Sequence, residues 1–444
     1  MGCIPEQATA NSTIVFSAML RKMKNENQHI PSGYKSSPFG IIPEDWEVKR
    51  LGEIGDFSKG NGVPKDKIIK DEQGHHCLTY GDLYTKYDFV IKDIKSFIDD
   101  DVASESKEIH IGDICFACSG ETPEDIGKCA AYIEESTAYA GGDIIILSPN
   151  KDINSIWLSY VLNSDIGGKQ RYKFAQGFSI VHIYPDNLKR IQIPTPTLKE
   201  QQRIVLVLSL WDTAIAKQTA LIEKLTLRKR GLMQQLLTGK KRLKGFEGEW
   251  KLIKLGDIAE RITRKNEEDN QNVVTISAQR GFVVQTDFFN KSVASETLDN
   301  YFLVHRDEFC YNKSYSNGYP MGAIKRLKTF DKAVVTTLYI CFALKGGATN
   351  IDFFEQYCES GIFNKELVKV ANEGGRAHGL LNVTPSDFFN MHMSVPSINE
   401  QNAIASVLVN SDKEIEIQKQ KLSDLQEQKR GLMQVLLSGK RRVK

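Results

Sequence analysis

Apolar residues recur every three or four positions along two long stretches of the chain. The first runs through Leu198, Ile204, Leu208, Ile215, Ile222, Leu225, Leu232 and Leu236. The second runs through Ile398, Ile404, Leu408, Ile415, Leu422, Leu425, Leu432 and Leu436. This spacing gives an α-helix one apolar face. From Ile215 it sharpens into a heptad: Ile215, Ile222, Lys229 and Leu236 take one core position, and Gln218, Leu225 and Leu232 the other. Ile415, Leu422, Lys429 and Leu436, with Gln418, Leu425 and Leu432, repeat it. Each helix has a start signal. Thr197 with Glu200, and Ser397 with Glu400, have capping-box spacing, and Pro196 and Pro396 end the incoming strand. Gly239 and Gly439 are natural terminators. Elsewhere the pattern changes. IGDICFA, GGDIIILS, NVVTISA and AVVTTLYICFAL read as strands, being β-branched or aromatic and bounded by Gly, Asp and Ser. SIWLSYVLN and FFEQYCESGIFNKELVKV have helical spacing. The fold class expected is α/β, of the α+β kind.

The chain is an internal duplication. KRGLMQQLLTGKKR at 229–242 returns as KRGLMQVLLSGKRR at 429–442, with 11 of 14 letters matching and no gap. WEVKRLGEI from Trp46 is echoed by WKLIKLGDI from Trp250, and PTPTLKEQ at 194–201 by SVPSINEQ at 394–401. Between these shared ends the two copies diverge almost completely. Like frames around unlike interiors point to one scaffold with two specificities. The expected organisation is a lead-in at 1–34, globular domains at 35–196 and 245–396, and helical regions at 197–244 and 397–444. Neither helix can bury its stripe alone, so each is expected to pair with the other. If a pseudo-twofold axis relates the copies, they form an antiparallel coiled coil that separates and joins the two domains. Residues 215–237 would rise about 35 Å at 1.5 Å each, close to one turn of B-DNA. Gly231 and Gly431 lie inside these helices, where close helix approach or inheritance from one ancestral copy would explain them.

Composition sets the class. With 444 residues, 41% hydrophobic and 26% charged, the chain reads as soluble and of two or more domains. A net charge of +2 neither demands nor excludes nucleic acid, because a local basic face vanishes in a balanced total. STIVFSAML is too short to span a bilayer and lacks preceding basic residues, so neither a transmembrane helix nor a signal peptide is read, and a cytoplasmic location is expected. Eight scattered cysteines argue against a disulfide framework. Cys115 and Cys118 have C-x-x-C spacing, which His75, His76, Cys77 and Cys129 could complete as a zinc site. A buried strand is the preferred reading of GDICFACS, and no metal is expected. No phosphate loop, dinucleotide fingerprint, nucleophile elbow, H-E-x-x-H or kinase set is present. These features describe a protein that binds.

The two P-x-x-x-E-Q helix starts, the two KRGLMQ-x-LL-[ST]-GK tails and the openings GIIPEDWEVKRLGEI and FEGEWKLIKLGDI carry a family likeness. The chain resembles the specificity subunit of type I restriction–modification systems over roughly residues 34–444. The resemblance implies a non-catalytic subunit whose two variable domains are target recognition domains. Each would read one half of a split, asymmetric site in double-stranded DNA, with the helices fixing the spacing. Two adenine-N6 methyltransferase subunits and restriction/translocase subunits are the implied partners, with no membrane. This chain would hold no cofactor; S-adenosylmethionine, ATP and Mg would be bound by the partners. A competing reading is a two-headed coiled-coil adaptor that binds proteins and no DNA.

Candidate DNA-contacting residues fall in five loops. SKGNGVPKDK (58–67) offers Lys59, Asn61, Lys65 and Lys67. GKQRYKFAQGFSIVH (168–182) offers Arg171 and Lys173 as charge, and Gln176, Ser179 and His182 as hydrogen-bonding groups. ERITRKN (260–266) adds Arg264 and Lys265; YNKSYSNGYP (311–320) adds Lys313, Tyr315 and Asn317. NEGGRAHGLLN (372–382) adds Arg376, His378 and Asn382, matching 176–182 of the first copy. Arg, Asn and Gln can contact bases bidentately, whereas the lysines suit phosphates. The basic tails KKRLK and KRRVK follow the helix C-termini, where cations favour the dipole. Partner docking is a second role for them.

Overall fold

The computed structural model describes residues 30–69, 74–177, 180–286, 298–347, 349–371 and 381–443. It has the mixed helix and strand content expected. The chain forms two compact units, residues 1–216 with 423–444, and residues 217–422. The division falls inside the two long helices, Leu198–Leu236 and Ile398–Leu437.

In the first unit, a five-stranded sheet runs in the order Gly55–Lys59, Ile144–Pro149, Ile114–Ala117, Cys129–Tyr132, Val90–Ile91. All four residues of Ile114–Ala117 are buried, Cys115 among them, as the reading of GDICFACS requires. A second sheet of four strands packs beside it. The shared opening and closing phrases meet directly. Strand Glu47–Arg50 pairs antiparallel with Gln192–Thr195, so the domain is stitched shut just before the long helix starts. Trp46, Trp157, Ile204 and Leu208 lie in the main core, with Met433, Leu436 and Leu437 from the end of the second long helix. The tail phrase therefore closes a domain core as well as a helix seam.

Glu200 and Gln201, the repeated E-Q pair, are both buried. The Gln201 amide donates to the Pro196 and Asp152 carbonyls (3.0 and 3.2 Å) and accepts from the Asn154 N–H at 2.7 Å. Asn154 in turn caps helix Ser155–Asn163. The Glu200 carboxylate receives the Arg442 guanidinium at 2.6 and 2.8 Å and the Trp46 indole N–H at 3.0 Å. Arg442 also forks onto Asp45, both bonds 2.9 Å. Further along, Lys429 is paired with Asp212, which Tyr160 also contacts, and its ammonium lies 4.0 Å from the Phe89 ring centre. Burial pushes its pKa down while Asp212 holds it up.

The second unit repeats this scheme by itself. Its sheet order is Ala259–Ile262, Ile340–Leu344, Phe309–Asn312, Ala323–Arg326, all antiparallel. Strand Lys251–Lys254 pairs with His392–Val395. Met233, Leu236 and Leu237 enter its core beside Ile404 and Leu408. Gln401 bonds the Pro396 carbonyl and the Asn350 N–H. Glu400 receives Arg242 at 2.5 and 2.6 Å. Lys229 meets Asp412 at 2.5 Å, and Gln218 donates to Gln418 at 2.9 Å. In each unit the helix segments run antiparallel: 200 meets 442 and 212 meets 429 in one, 229 meets 412 and 242 meets 400 in the other. The seam residues Ile215, Ile222, Leu225, Leu232, Leu236, Ile415, Leu422, Leu425, Leu432 and Leu436 are all buried or half-buried.

Three expectations change. Glu200 and Glu400 do not complete reciprocal capping boxes, because their carboxylates bind arginines instead; only Ser397 accepts from the Glu400 N–H, at 3.4 Å. The tail arginines serve these carboxylates rather than the helix dipole alone. Gly231 and Gly431 are not at a close approach, since a Cβ at either would meet nothing within 4 Å. By length and composition alone, Leu198–Leu236 could cross a membrane: an 18-residue stretch has mean hydropathy 1.3 and is only 17% buried. Against that, Ile204 and Leu208 are committed to the domain core and Glu200 to an ion pair.

Removing Arg442 strands the buried Glu200 carboxylate, so Arg442→Ala should cost about 3 kcal/mol or more in denaturant melts. Hydrogen bonding from Arg442 holds the Asp45 carboxyl below its usual range. A depressed carboxylate stabilises above its unfolded pKa and loses that contribution on acidification. The gap between wild type and Arg442→Ala should therefore be full above about pH 4 and narrow below it. Gly231→Ala and Gly431→Ala should each stabilise by about 0.5–1 kcal/mol, read in the same melts.

Candidate nucleic-acid interface

Strand register gathers the first unit's candidates. Ile145 pairs with Lys59 and Ile144 with Ala117, so Lys59, Cys118 and Asp143 share one end of the five-stranded sheet. Ser119–Gly120 leaves that end and pairs with Val181–His182. Gln176 and His182 exchange backbone bonds of 3.0 and 2.7 Å. Lys59, Asp143, Ser119, His182 and Gln176 are thus brought together. Asn61 follows two residues on, exposed, its side chain donating to the Glu105 carbonyl at 2.9 Å. Lys65 and Lys67 are exposed on a short 3-10 turn, and Lys173 on the last turn of helix Asp165–Phe174. Ser179 lies outside the described residues.

Arg171 is a correction. It is 5% exposed, and its guanidinium donates to the Ile126 carbonyl at 3.0 Å and to the Leu162 carbonyl. Burial pushes its pKa down. Arg171 ties helix Asp165–Phe174 to the core and is withdrawn from the DNA-contact set.

In the second unit, a hairpin runs from Asn312 to Ala323, paired at its base. Tyr315 is 66% exposed on it, and Asn317 is exposed with its carbonyl held by Gln279 at 2.9 Å. A partly buried trio anchors the returning arm. Tyr319 donates to Glu359 at 2.8 Å, and the Lys325 ammonium reaches Glu359 at 2.6 Å and the Tyr319 hydroxyl at 3.1 Å. Leu381 donates to the Lys313 carbonyl at 3.1 Å, bringing exposed Asn382 beside half-buried Lys313, whose pKa burial lowers. Arg264 is engaged by Glu308 at 3.0 Å and the Leu303 carbonyl at 3.1 Å while remaining exposed. Lys265 donates to the Asn300 carbonyl at 2.6 Å and sits over the Phe302 ring. Arg376 and His378 lie outside the described residues. Among those described, no group of three or more His, Cys, Asp or Glu is placed to hold a metal ion.

Residues 43–227 match the sequence profile of the type I restriction modification DNA specificity domain. The match spans the first copy of the repeat, and over nearly its whole length the chain is similar to type I restriction–modification specificity subunits. It is 26% identical to the type I restriction enzyme MjaVIII specificity subunit of Methanocaldococcus jannaschii, over 91% of this chain and 94% of the relative. A second relative from that organism, provisionally the MjaX specificity subunit, is 29% identical over 96% and 99% of the two chains. In fold, the chain is similar to a crystal structure of the type I S subunit from M. genitalium, with TM-score 0.52, 16% identity and coverage of 93% and 97%. It is similar also to a chain from a structural study of type I complex assembly and conformational transition, with TM-score 0.55, 14% identity and coverage of 90% and 99%. These similarities support a DNA sequence-recognition role and do not favour the protein-only adaptor.

Two polar groups of this chain, Ser119 and Asp143, escape a reading of the sequence. Neither sits in a basic loop; each becomes visible only through strand register. Arg171→Ala should cost about 2–3 kcal/mol of stability in urea melts. Lys59→Ala should leave stability within about 0.5 kcal/mol while reducing the salt slope of DNA binding by about 1.

Proposed function

We propose that this chain selects a bipartite, asymmetric DNA sequence for an adenine-N6 methyltransferase. One observation carries the proposal: two like frames present unlike polar groups at corresponding sheet ends, Ser119, Asp143 and His182 in one, Lys313, Tyr315 and Asn382 in the other. Unlike readers on one chain select unlike half-sites. Two modest binding modules joined by a stiff connector gain affinity through effective concentration, provided the span suits both. In this reading residues 35–196 and 245–396 are the target recognition domains, and 197–244 and 397–444 form the antiparallel coiled-coil spacer. The coil also carries two methyltransferase subunits, with restriction/translocase subunits joining. S-adenosylmethionine, ATP and Mg belong to those partners, which must flip the target base from the stack. The assembly works on cytoplasmic DNA.

Among the candidates, Lys59, Lys65, Lys67 and Lys173 are exposed cations that suit phosphates, and exposed Asn61 suits a phosphate or a base edge. Lys265 and Lys313 play this part in the second unit. Gln176, His182, Tyr315, Asn317 and Asn382 suit base edges. The test is co-expression with the partner methyltransferase, followed by sequencing for N6-methyladenine. The expected result is methylation at one split motif. Exchanging residues 245–396 for another such domain should change one half and leave the other. A motif unaltered by the exchange would refute the proposal.

A further inference from the structure

Ser119 lies at a junction that fixes its hydrogens. Its hydroxyl is 3.3 Å from the Asp143 carboxylate and 3.1 Å from Nδ1 of His182. The Asp143 carboxylate oxygen accepts from this hydroxyl, so the serine proton points to it. The serine oxygen then accepts from His182, which places the imidazole proton on Nδ1. A neutral imidazole carries one N–H, so Nε2 is left as an acceptor. Among the described residues Nε2 has no hydrogen-bond partner. The geometry is held from both sides. Cys118 N–H bonds the Asp143 carbonyl at 3.0 Å, and Ile183 N–H bonds the Cys118 carbonyl at 3.0 Å. Ser119 is 6% exposed and His182 half-exposed, so the relay is internal and the ring edge external.

The local charge distinguishes a base contact from a phosphate contact. Asp143 is exposed, as are Glu121, Glu124 and Asp125 of the adjoining loop. Carboxylates repel phosphate, whereas an acceptor edge suits an exocyclic amino group. In the major groove, adenine N6 and cytosine N4 present such donors; guanine and thymine present acceptors there. Lys59 at the same sheet end supplies a cation for the neighbouring backbone.

We propose that His182 is a specificity-determining residue that reads the amino group of an adenine or cytosine, with Ser119 and Asp143 as positioning residues that set its tautomer. This rests on the DNA-reading role proposed above. The relay can be reversed. In an Asp143→Asn variant the side-chain amide donates to Ser119, whose hydroxyl then donates to Nδ1 and leaves a proton on Nε2.

The experiment uses the full chain with its methyltransferase partner and sequences N6-methyladenine. The half-motif to watch is the one that survives exchange of residues 245–396. His182→Ala should reduce base preference at one position of that half from roughly tenfold or more to within about twofold. His182→Gln should narrow that position to adenine, which a side-chain amide contacts bidentately. Asp143→Asn should move the same position toward guanine or thymine, an outcome that loss of folding cannot produce. Unchanged motifs in His182→Ala, equal loss at every position, or wild-type preference in Asp143→Asn would overturn the inference. Wild-type complex that methylates no split motif would instead defeat the parent reading.

Discussion

A carboxylate buried at the start of each long helix needs a cation, and the end of the other long helix supplies it. Glu200 has Arg442 and Glu400 has Arg242. A buried charge without its partner is costly, so neither unit is complete without residues from both copies of the repeat. This constraint explains why the opening Trp, the E-Q pair and the GK-x-R tail recur together. Trp46 and Trp250 pack where the latch closes: a side chain at Gly439 would come within 2.3 Å of Pro43 and 3.3 Å of Trp46, and one at Gly239 would contact Trp250. The left-handed φ at both glycines, +71° and +69°, lets the chain turn there toward its arginine.

The latches are alike but not identical. Trp46 donates to Glu200, whereas the Trp250 indole N–H has no partner among the described residues and the Arg242 guanidinium lies 5.9 Å from its ring centre. Tyr160 contacts Asp212 where Gln356 contacts Asp412. The frame tolerates such exchanges because the ion pair between backbone-fixed helix ends is kept. The interiors are under no such restraint, and they diverge.

Much of this was legible from the chain itself. The 3.6-residue period, the glycine stops and the duplicated phrases located both helices, and strands such as Ile114–Ala117 followed from their apolar runs. What escaped were pairings between residues far apart. Glu200 has the spacing of a capping residue, yet its partner lies 242 positions away. Arg171 looks like one cation in a basic loop, and only the fold places the Ile126 and Leu162 carbonyls around it. Ser119 and Asp143 escaped for the same reason, since strand register brings them to His182.

The second unit is one continuous segment, residues 217–422, whereas the first is assembled from 1–216 and 423–444. On the ribosome, everything the second unit needs has been made while the first still lacks Met433, Leu436, Leu437 and Arg442. The domain translated earlier is thus the one that matures later. Until then its core has an open side and Glu200 lacks its counter-ion. A nascent chain halted near residue 422 would carry a finished second unit and an unfinished first one.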